Sequence, residues 1–300
     1  MPMPRFTIAA AQYPIEALAD WAAYETKLTR WVEAAAEGGA ALAVFPEYGA
    51  MELTSLDPET MGDLAGSLAS VSALLPQVDA LHAALAARHG LHILAASAPC
   101  AVGGRAYVNR ARLFTPGGKV GVQDKLVMTR FEREEWHVSA SAPLRLFQTS
   151  LGKIGITICY DSEFPLLARA QVEAGMELLL VPSCTDSLHG YWRVRLGAQA
   201  RALEGQCYAV QSPTVGEAAW SPAVDINRGA AAIYGPPDRG MPENGVLAIG
   251  ETDAAQWVFA EVDLARVAEL RADGGVLNAR HWAEQPGGAA LPPVEVVDLR

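Results

Sequence analysis

Short apolar runs, each long enough for one buried strand, alternate with stretches that carry apolar residues at helical spacing, and this alternation restricts the chain to an α/β architecture. RFTIAAAQ (Arg5–Gln12) reads as a buried strand, and Trp21, Tyr24, Leu28, Trp31 and Ala35 mark a helix that runs to about Glu37 and stops at Gly38–Gly39. ALAVF (Ala41–Phe45) is the next strand, closed by Pro46. Leu74, Val78, Leu81 and Leu85 mark a second long helix ended by Gly90, and Leu91–Ala96 is strand-like again. From Tyr107 the period shortens: YVNRARLF and VGVQDKL flank a Pro-Gly-Gly turn, and LRLFQT and IGITI flank another, predicting two hairpins. Alternation then returns with a helix over Phe164–Ala174, the strand LLLVP, a helix over Tyr191–Glu204 and the strand CYAVQS. AAAIY, VLAIG and WVFAEV predict three more strands before a helix near Leu264–Ala272.

Nothing in this series resembles a linker or a repeat, so residues 1–284 are expected to form one α/β domain of mixed sheets covered by helices, with 285–300 as an extended Pro/Gly-rich tail. The composition narrows the function. With 51% hydrophobic residues and 19% charged ones, the 300-residue chain has the apolar surface needed for a packed core. The 23 Lys and Arg against 34 Asp and Glu leave a net charge of −11, which argues against nucleic acid as a partner. No apolar run reaches the roughly 18–20 residues that span a bilayer, so no membrane association is expected. The opening MPMPRFTIAAAQYP reads as a strand and not as a signal peptide. The four cysteines, Cys100, Cys159, Cys184 and Cys207, form no CxxC pair and point to a reducing cytoplasm. His82, His89 and His92 lack metal-ligand spacing and read as scattered surface or helix-face residues, so no metal is expected.

Ligands in open α/β sheets bind beyond the carboxyl ends of strands. Three reactive residues meet that criterion: Glu47 follows ALAVF-Pro, Lys125 ends VGVQDKL, and Cys159 follows IGITI. Each has an ordinary reading. A cysteine after a strand is usually a small buried residue, a glutamate in a loop a solvated charge, and a lysine at a strand end a guard against edge pairing. Together they are chemically coherent. A thiol at a strand-to-helix turn, beside backbone N–H groups and a positive helix end, favours thiolate; a carboxylate takes a proton; an ammonium holds an oxyanion.

FPEYGA (Phe45–Ala50), DKLVMTRFERE (Asp124–Glu134) and ICYDSEFP (Ile158–Pro165) resemble the three signature blocks of the nitrilase, or carbon–nitrogen hydrolase, superfamily. Their order and spacing match, with Lys125 78 residues after Glu47 and Cys159 34 after Lys125. The wording TRFEREEW and CYDSEFP is closest to a subgroup some of whose members carry an N-terminal acetyltransferase-like domain.

The resemblance implies a four-layer α-β-β-α sandwich and a Glu-Lys-Cys triad that needs no cofactor. Glu47 would serve as base and then acid, Cys159 as nucleophile and Lys125 as oxyanion stabiliser, with the Tyr160 N–H completing the oxyanion hole. Glu132 fits a second family glutamate, in competition with Glu134 and Glu135. At Glu163 many members carry arginine, so substrate preference does not transfer.

The expected activity is hydrolysis of a small-molecule amide through a thioester. The alternatives are a nitrilase that forms a thioimidate from a nitrile, and a non-catalytic binding protein of the same fold. Tyr48–Leu53, Thr185–Trp192 and Thr214–Trp220 are the expected pocket walls, with Tyr48, Glu163, Thr185 and Asp186 as candidate substrate contacts. Glu52, Asp57, Glu163 and Asp186 lie close to the strand-end site. If several face the pocket they favour neutral or cationic substrates; otherwise they are ordinary surface acids. The resemblance also implies a homodimer or larger assembly, with the tail reaching a neighbour.

Overall fold

The computed structural model describes residues 4–104, 106–141 and 143–285, together with 295 and 297. The extended tail expected over 285–300 therefore lies almost entirely outside the described residues. The first half of the chain supplies β1 (Arg5–Pro14), α1 (Trp21–Glu37), β2 (Ala40–Val44), α2 (Leu64–His89), β3 (His92–Ala101), β4 (Tyr107–Phe114) and β5 (Val120–Asp124). The short α3 (Arg130–Glu134) and β6 (Val138–Ser139) follow. The second half supplies β7 (Leu146–Thr149), β8 (Gly152–Ile156), α4 (Pro165–Glu173), β9 (Leu178–Ser183), α5 (Leu188–Gly205) and β10 (Tyr208–Glu217). It closes with β11 (Ile226–Asn227), β12 (Ala232–Tyr234), β13 (Val246–Ile249), β14 (Gln256–Asp263), α6 (Leu264–Asp273) and α7 (Asn278–His281).

These strands form a large mixed sheet in the order β5-β4-β3-β2-β1-β10-β9-β8-β7. The β1–β10 link is brief, Tyr13 with Thr214 and Pro14 with Val215, whereas β1 pairs along its length with the antiparallel β14 and also runs parallel to β2. Ser212 on β10 reinforces the join: its Oγ lies 2.8 Å from the Ala11 carbonyl oxygen and 2.9 Å from that of Val44. Both expected hairpins form, β4 with β5 and β7 with β8.

Alternation along β1 sends its two faces into different cores. Phe6, Ile8 and Ala10 join a cluster with Ile154, Ile156, Leu178 and Leu180 from the other half of the sheet. Ala9, Ala11 and Tyr13 pack instead with Tyr24, Leu28 and Val32 of α1 and Leu68, Val71, Leu75 and Val78 of α2. Capping sets the helix ends. Asp20 and Asp63 accept backbone N–H groups at the starts of α1 and α2, and Gly90 stops α2 in a left-handed conformation, φ 65°, that costs glycine little.

By length and composition alone α2 is long and apolar enough to cross a membrane, although Ser67, Ser70, Pro76, Gln77 and Asp79 interrupt its apolar run, as the sequence led one to expect. One of its faces packs in the core. His82 and His89 do lie on a helix, α2, but His82 and His92 are not at the surface. His82 is buried, stacked on Phe114 with its Nδ1 2.8 Å from the Val78 carbonyl oxygen, and His92 is buried on β3. Desolvation pushes the His82 pKa down to about 3.

Candidate active site

Glu47 lies three residues beyond β2 and Cys159 three beyond β8, both strands running parallel to a neighbour, while Lys125 directly follows β5. The fold brings all three into one cavity of about 540 Å3. Lys125, almost fully buried, bridges two carboxylates: its Nζ donates to Glu47 Oε1 at 2.7 Å and to Glu132 Oε2 at 2.6 Å. Burial alone would lower its pKa, but Glu132 and Glu47 hold it charged, well above the usual value.

Glu132 is held from several sides. Thr129 caps α3, and the Glu132 carboxylate accepts in return from the Thr129 backbone N–H at 2.9 Å, a reciprocal capping box. The Tyr48 hydroxyl donates to its other oxygen at 2.7 Å. Burial pushes the Glu132 pKa up, yet Lys125 and these hydrogen bonds hold it below the ordinary value. Of the three competing glutamates, only Glu132 meets Lys125; Glu134 pairs with Arg130 at the surface and Glu135 is exposed.

Glu47 is also fixed in place. Its Oε1 accepts from Asn109 Nδ2 at 2.9 Å and its Oε2 from the Cys184 backbone N–H at 2.9 Å. Asn109 is oriented by Ser97, whose Oγ donates to Asn109 Oδ1 at 2.6 Å. Desolvation, with a contribution from Glu132, outweighs Lys125 and pushes the Glu47 pKa up to about 7. A buried carboxylate with that pKa can take and return a proton near neutrality.

Cys159 opens a 3-10 turn, Cys159–Glu163, and its φ of 48° is left-handed, a strained conformation for a residue with a side chain. Its Sγ faces the Cys184 carbonyl oxygen at 3.8 Å and lies against Glu47. The expectation of a ready thiolate is corrected. Burial first, then the adjacent Glu47, raise the thiol pKa well above the ordinary value, and the helix that follows begins only at Pro165. The resting group is a thiol beside a carboxylate. Asp161 ties this turn to the lysine loop, its carboxylate accepting from Val127 N–H at 2.8 Å and Leu126 N–H at 3.2 Å.

Tyr48, Tyr160, Glu163, Thr185 and Asp186 all line the cavity, although the Tyr48 hydroxyl is taken by Glu132. Of the expected walls, Tyr48 is the contributor from its loop and Thr185, Asp186 and Gly190 from theirs. Thr214–Trp220 does not line the cavity, because β10 continues to Glu217; residues 222–226 form that wall. Glu52 is a further correction. It is fully buried away from the site, accepting from Lys27 and from the Tyr13 hydroxyl, each at 2.6 Å. Asp57 does not line the cavity either. Among the described residues, no group of three or more His, Cys, Asp or Glu is arranged to hold a metal ion. A larger groove of about 780 Å3, between α1 and 255–257, brings together no comparable thiol, amine and carboxylates.

Sequence reasoning missed Asn109, Cys184, Asp161 and the cavity arginines Arg130 and Arg193. Cys184 directly follows β9 and satisfied the strand-end criterion.

The carbon–nitrogen hydrolase family model matches residues 7–272. The chain belongs to that family. It is 32% identical over 269 residues to the probable hydrolase YhcX of Bacillus subtilis, an alignment that covers 90% of this chain and 52% of the relative, so the chain spans about half that protein's length. The omega-amidase NIT2 of Danio rerio is 28% identical over 196 residues, covering 61% of this chain and 65% of the relative. The crystal structure of a carbon–nitrogen hydrolase from Helicobacter pylori superposes with a TM-score of 0.71 at 20% identity, covering 89% of this chain and 92% of that one. At that identity the likeness speaks for the fold alone.

Proposed function

We propose that the protein hydrolyses the carbon–nitrogen bond of a small, non-peptide amide through a thioester on Cys159. The observation that carries this reading is the meeting of Cys159, Glu47 and Lys125 in one cavity, with Lys125 held between two buried carboxylates. The amidase name of the Danio rerio relative is in keeping with amide chemistry.

In this mechanism Cys159 Sγ attacks the carbonyl carbon as its proton passes to Glu47. The oxyanion is held by Lys125 Nζ and the Tyr160 N–H, while Glu132 and, through it, Tyr48 keep Lys125 aimed. Collapse breaks the C–N bond, and Glu47 protonates the leaving amine. Water then gives a proton to Glu47 and attacks the thioester; the acid leaves and Glu47 returns the proton to Cys159. Glu163, Thr185 and Asp186 face the part of the substrate beyond the scissile bond.

We extend the reading in four respects. Residues 1–284 act as one catalytic domain, and the two cores on either face of β1 support a four-layer α-β-β-α arrangement. The chain acts as a homodimer or larger homo-oligomer; Leu188, Trp192, Leu196 and Leu203 leave an apolar stripe exposed along α5 that supports it. Its compartment is a reducing one such as the cytoplasm, in keeping with four free cysteines. On the wording of its motifs the chain is placed with the subgroup some of whose members carry an N-terminal acetyltransferase-like domain.

A panel of small amides, carbamoyl compounds and nitriles, run beside Cys159→Ala, tests the reaction, with mass spectrometry of the quenched enzyme to detect acylated Cys159. Amide turnover that vanishes in Cys159→Ala, with an acyl adduct on the intact protein, is expected. Turnover persisting in Cys159→Ala overturns the covalent mechanism, and nitrile turnover without amide turnover replaces the amidase reading.

A further inference from the structure

The mouth of the catalytic cavity carries five charged side chains, Arg130, Glu163, Asp186, Arg193 and Asp225. Four are unsuited to select a substrate by charge. Asp186 and Asp225 are exposed, where water screens them. The Arg130 side chain is 87% exposed, and its Nε is engaged by both oxygens of Glu134 at 2.8 and 3.0 Å. Arg193 is 61% exposed.

Glu163 differs. Its side chain is 21% exposed, and its ion-pair partner among the described residues is Arg193, at a loose 3.4 Å. It closes the 3-10 turn that Cys159 opens, which places the two backbones about 8 Å apart at the usual 3-10 rise. Phe131, Trp136, Val194 and Val224 also line the cavity, and its buried cation, Lys125, is already paired with Glu47 and Glu132. A partly buried carboxylate in such a cavity gains from a cation that the solvent-facing Arg193 supplies only weakly.

Resting on the amidase reading above, we propose that Glu163 is a specificity-determining residue that selects amides bearing an ammonium or guanidinium group some three to five bonds from the scissile carbonyl, a span set by the roughly 8 Å estimate. The substrate's cation displaces Arg193, which swings to solvent, and takes its place against Glu163. A carboxylate-bearing substrate would meet Glu163 as a like charge, and Arg193 would have to leave Glu163 to receive it.

The test uses three matched amides, 5-aminopentanamide, hexanamide and glutaramate, with the intact protein and the variants Glu163→Gln and Glu163→Arg. The intact protein is expected to favour the ammonium amide over the carboxylate amide at least tenfold in kcat/KM, chiefly through KM. Glu163→Gln should bring that ratio close to one, and Glu163→Arg should invert it. A second measurement does not depend on amide turnover: the rate at which matched α-chloroacetamides ending in ammonium, methyl or carboxylate alkylate Cys159, with the same ordering expected. Charge-ordered alkylation without hydrolysis of any amide would sink the amidase reading and leave Glu163's role standing. Amide turnover with equal rates for the three substrates, a preference for glutaramate, or a ratio that Glu163→Gln leaves in place overturns the assignment.

Discussion

The backbone N–H of Cys184 donates to Glu47 Oε2 at 2.9 Å, joining two strand ends that lie 137 residues apart in sequence. This bond and the one from Asn109 leave the carboxylate little freedom to turn, so its proton exchange is set by its electrostatic surroundings and not by rotation.

Glu47 should therefore govern the acid limb of the pH profile. Its pKa is pushed up to about 7, and only its ionised form can take the Cys159 proton. Amide kcat/KM is expected to rise with pH through about 7 and to level off above it. Glu47→Gln should lower turnover at every pH by about a thousandfold or more. An acid limb near the ordinary carboxylate range, around 4.5, would show that Glu47 is not the group that titrates.

Lys125 carries structural weight beyond the oxyanion role proposed for it. Replacing it with methionine leaves Glu47 and Glu132 buried without their shared cation, a change that costs about 3–5 kcal/mol of stability. The cost should be greatest at pH 8 and smaller at pH 5, where Glu47, with its raised pKa, takes up a proton. Urea unfolding of Lys125→Met at both values checks this. The expectation for Cys159→Ala is different: lost turnover with the fold retained.

His82 is held neutral, its pKa pushed down to about 3 by burial against an ordinary 6.5. At pH 7 it is neutral whether the chain is folded or not, so its contribution is fully present there. As pH falls from 6.5 toward 3 only the unfolded chain takes the proton, and stability falls by up to about 1.4 kcal/mol per pH unit. His82→Leu should show a shallower loss than the parent protein between pH 6.5 and 4.5 in denaturant titrations. Parallel curves would mean that His82 is not desolvated.

Asp161 ties the turn that Cys159 opens to the loop after Lys125 without lining the cavity. Asp161→Ala should lower kcat by about a hundredfold with a smaller change in KM, since misplacement of the reacting groups penalises the chemical step. Asp161→Asn, which keeps one acceptor oxygen, should fall between. A change confined to thermal stability would assign Asp161 to folding alone.

Glu47, Lys125 and Cys159 were legible because each lies at or just past a run whose apolar pattern marks a strand. Cys184 obeys the same rule but was overlooked, because the strand was read as ending at Pro182 and it ends at Ser183. Asn109 and Ser97 lie within strands, where strand-end reasoning does not look, and Ser97 sits at an irregularity in the β3–β4 register that apolar periodicity cannot report. The choice of Glu132 over Glu134 and Glu135 was available in Thr129-x-x-Glu132, a capping-box pattern that fixes which carboxylate turns back toward the helix start. The inward turn of Glu52 was not legible, since it depends on Lys27 and Tyr13 arriving from other elements.

The long pairing of β1 with β14 bears on how the molecule is made. Residues 5–12 hydrogen bond with residues 256–263, so β1 waits for a partner synthesised some 250 residues later. Until then both Phe6-Ile8-Ala10 and the free edge of β1 are open to other chains, and the seam on which Ser212 draws the two halves together cannot settle. A nascent chain stalled before Gln256 would be expected to need a chaperone, and Cys159 and Glu47 would acquire their final spacing only once β14 has been made.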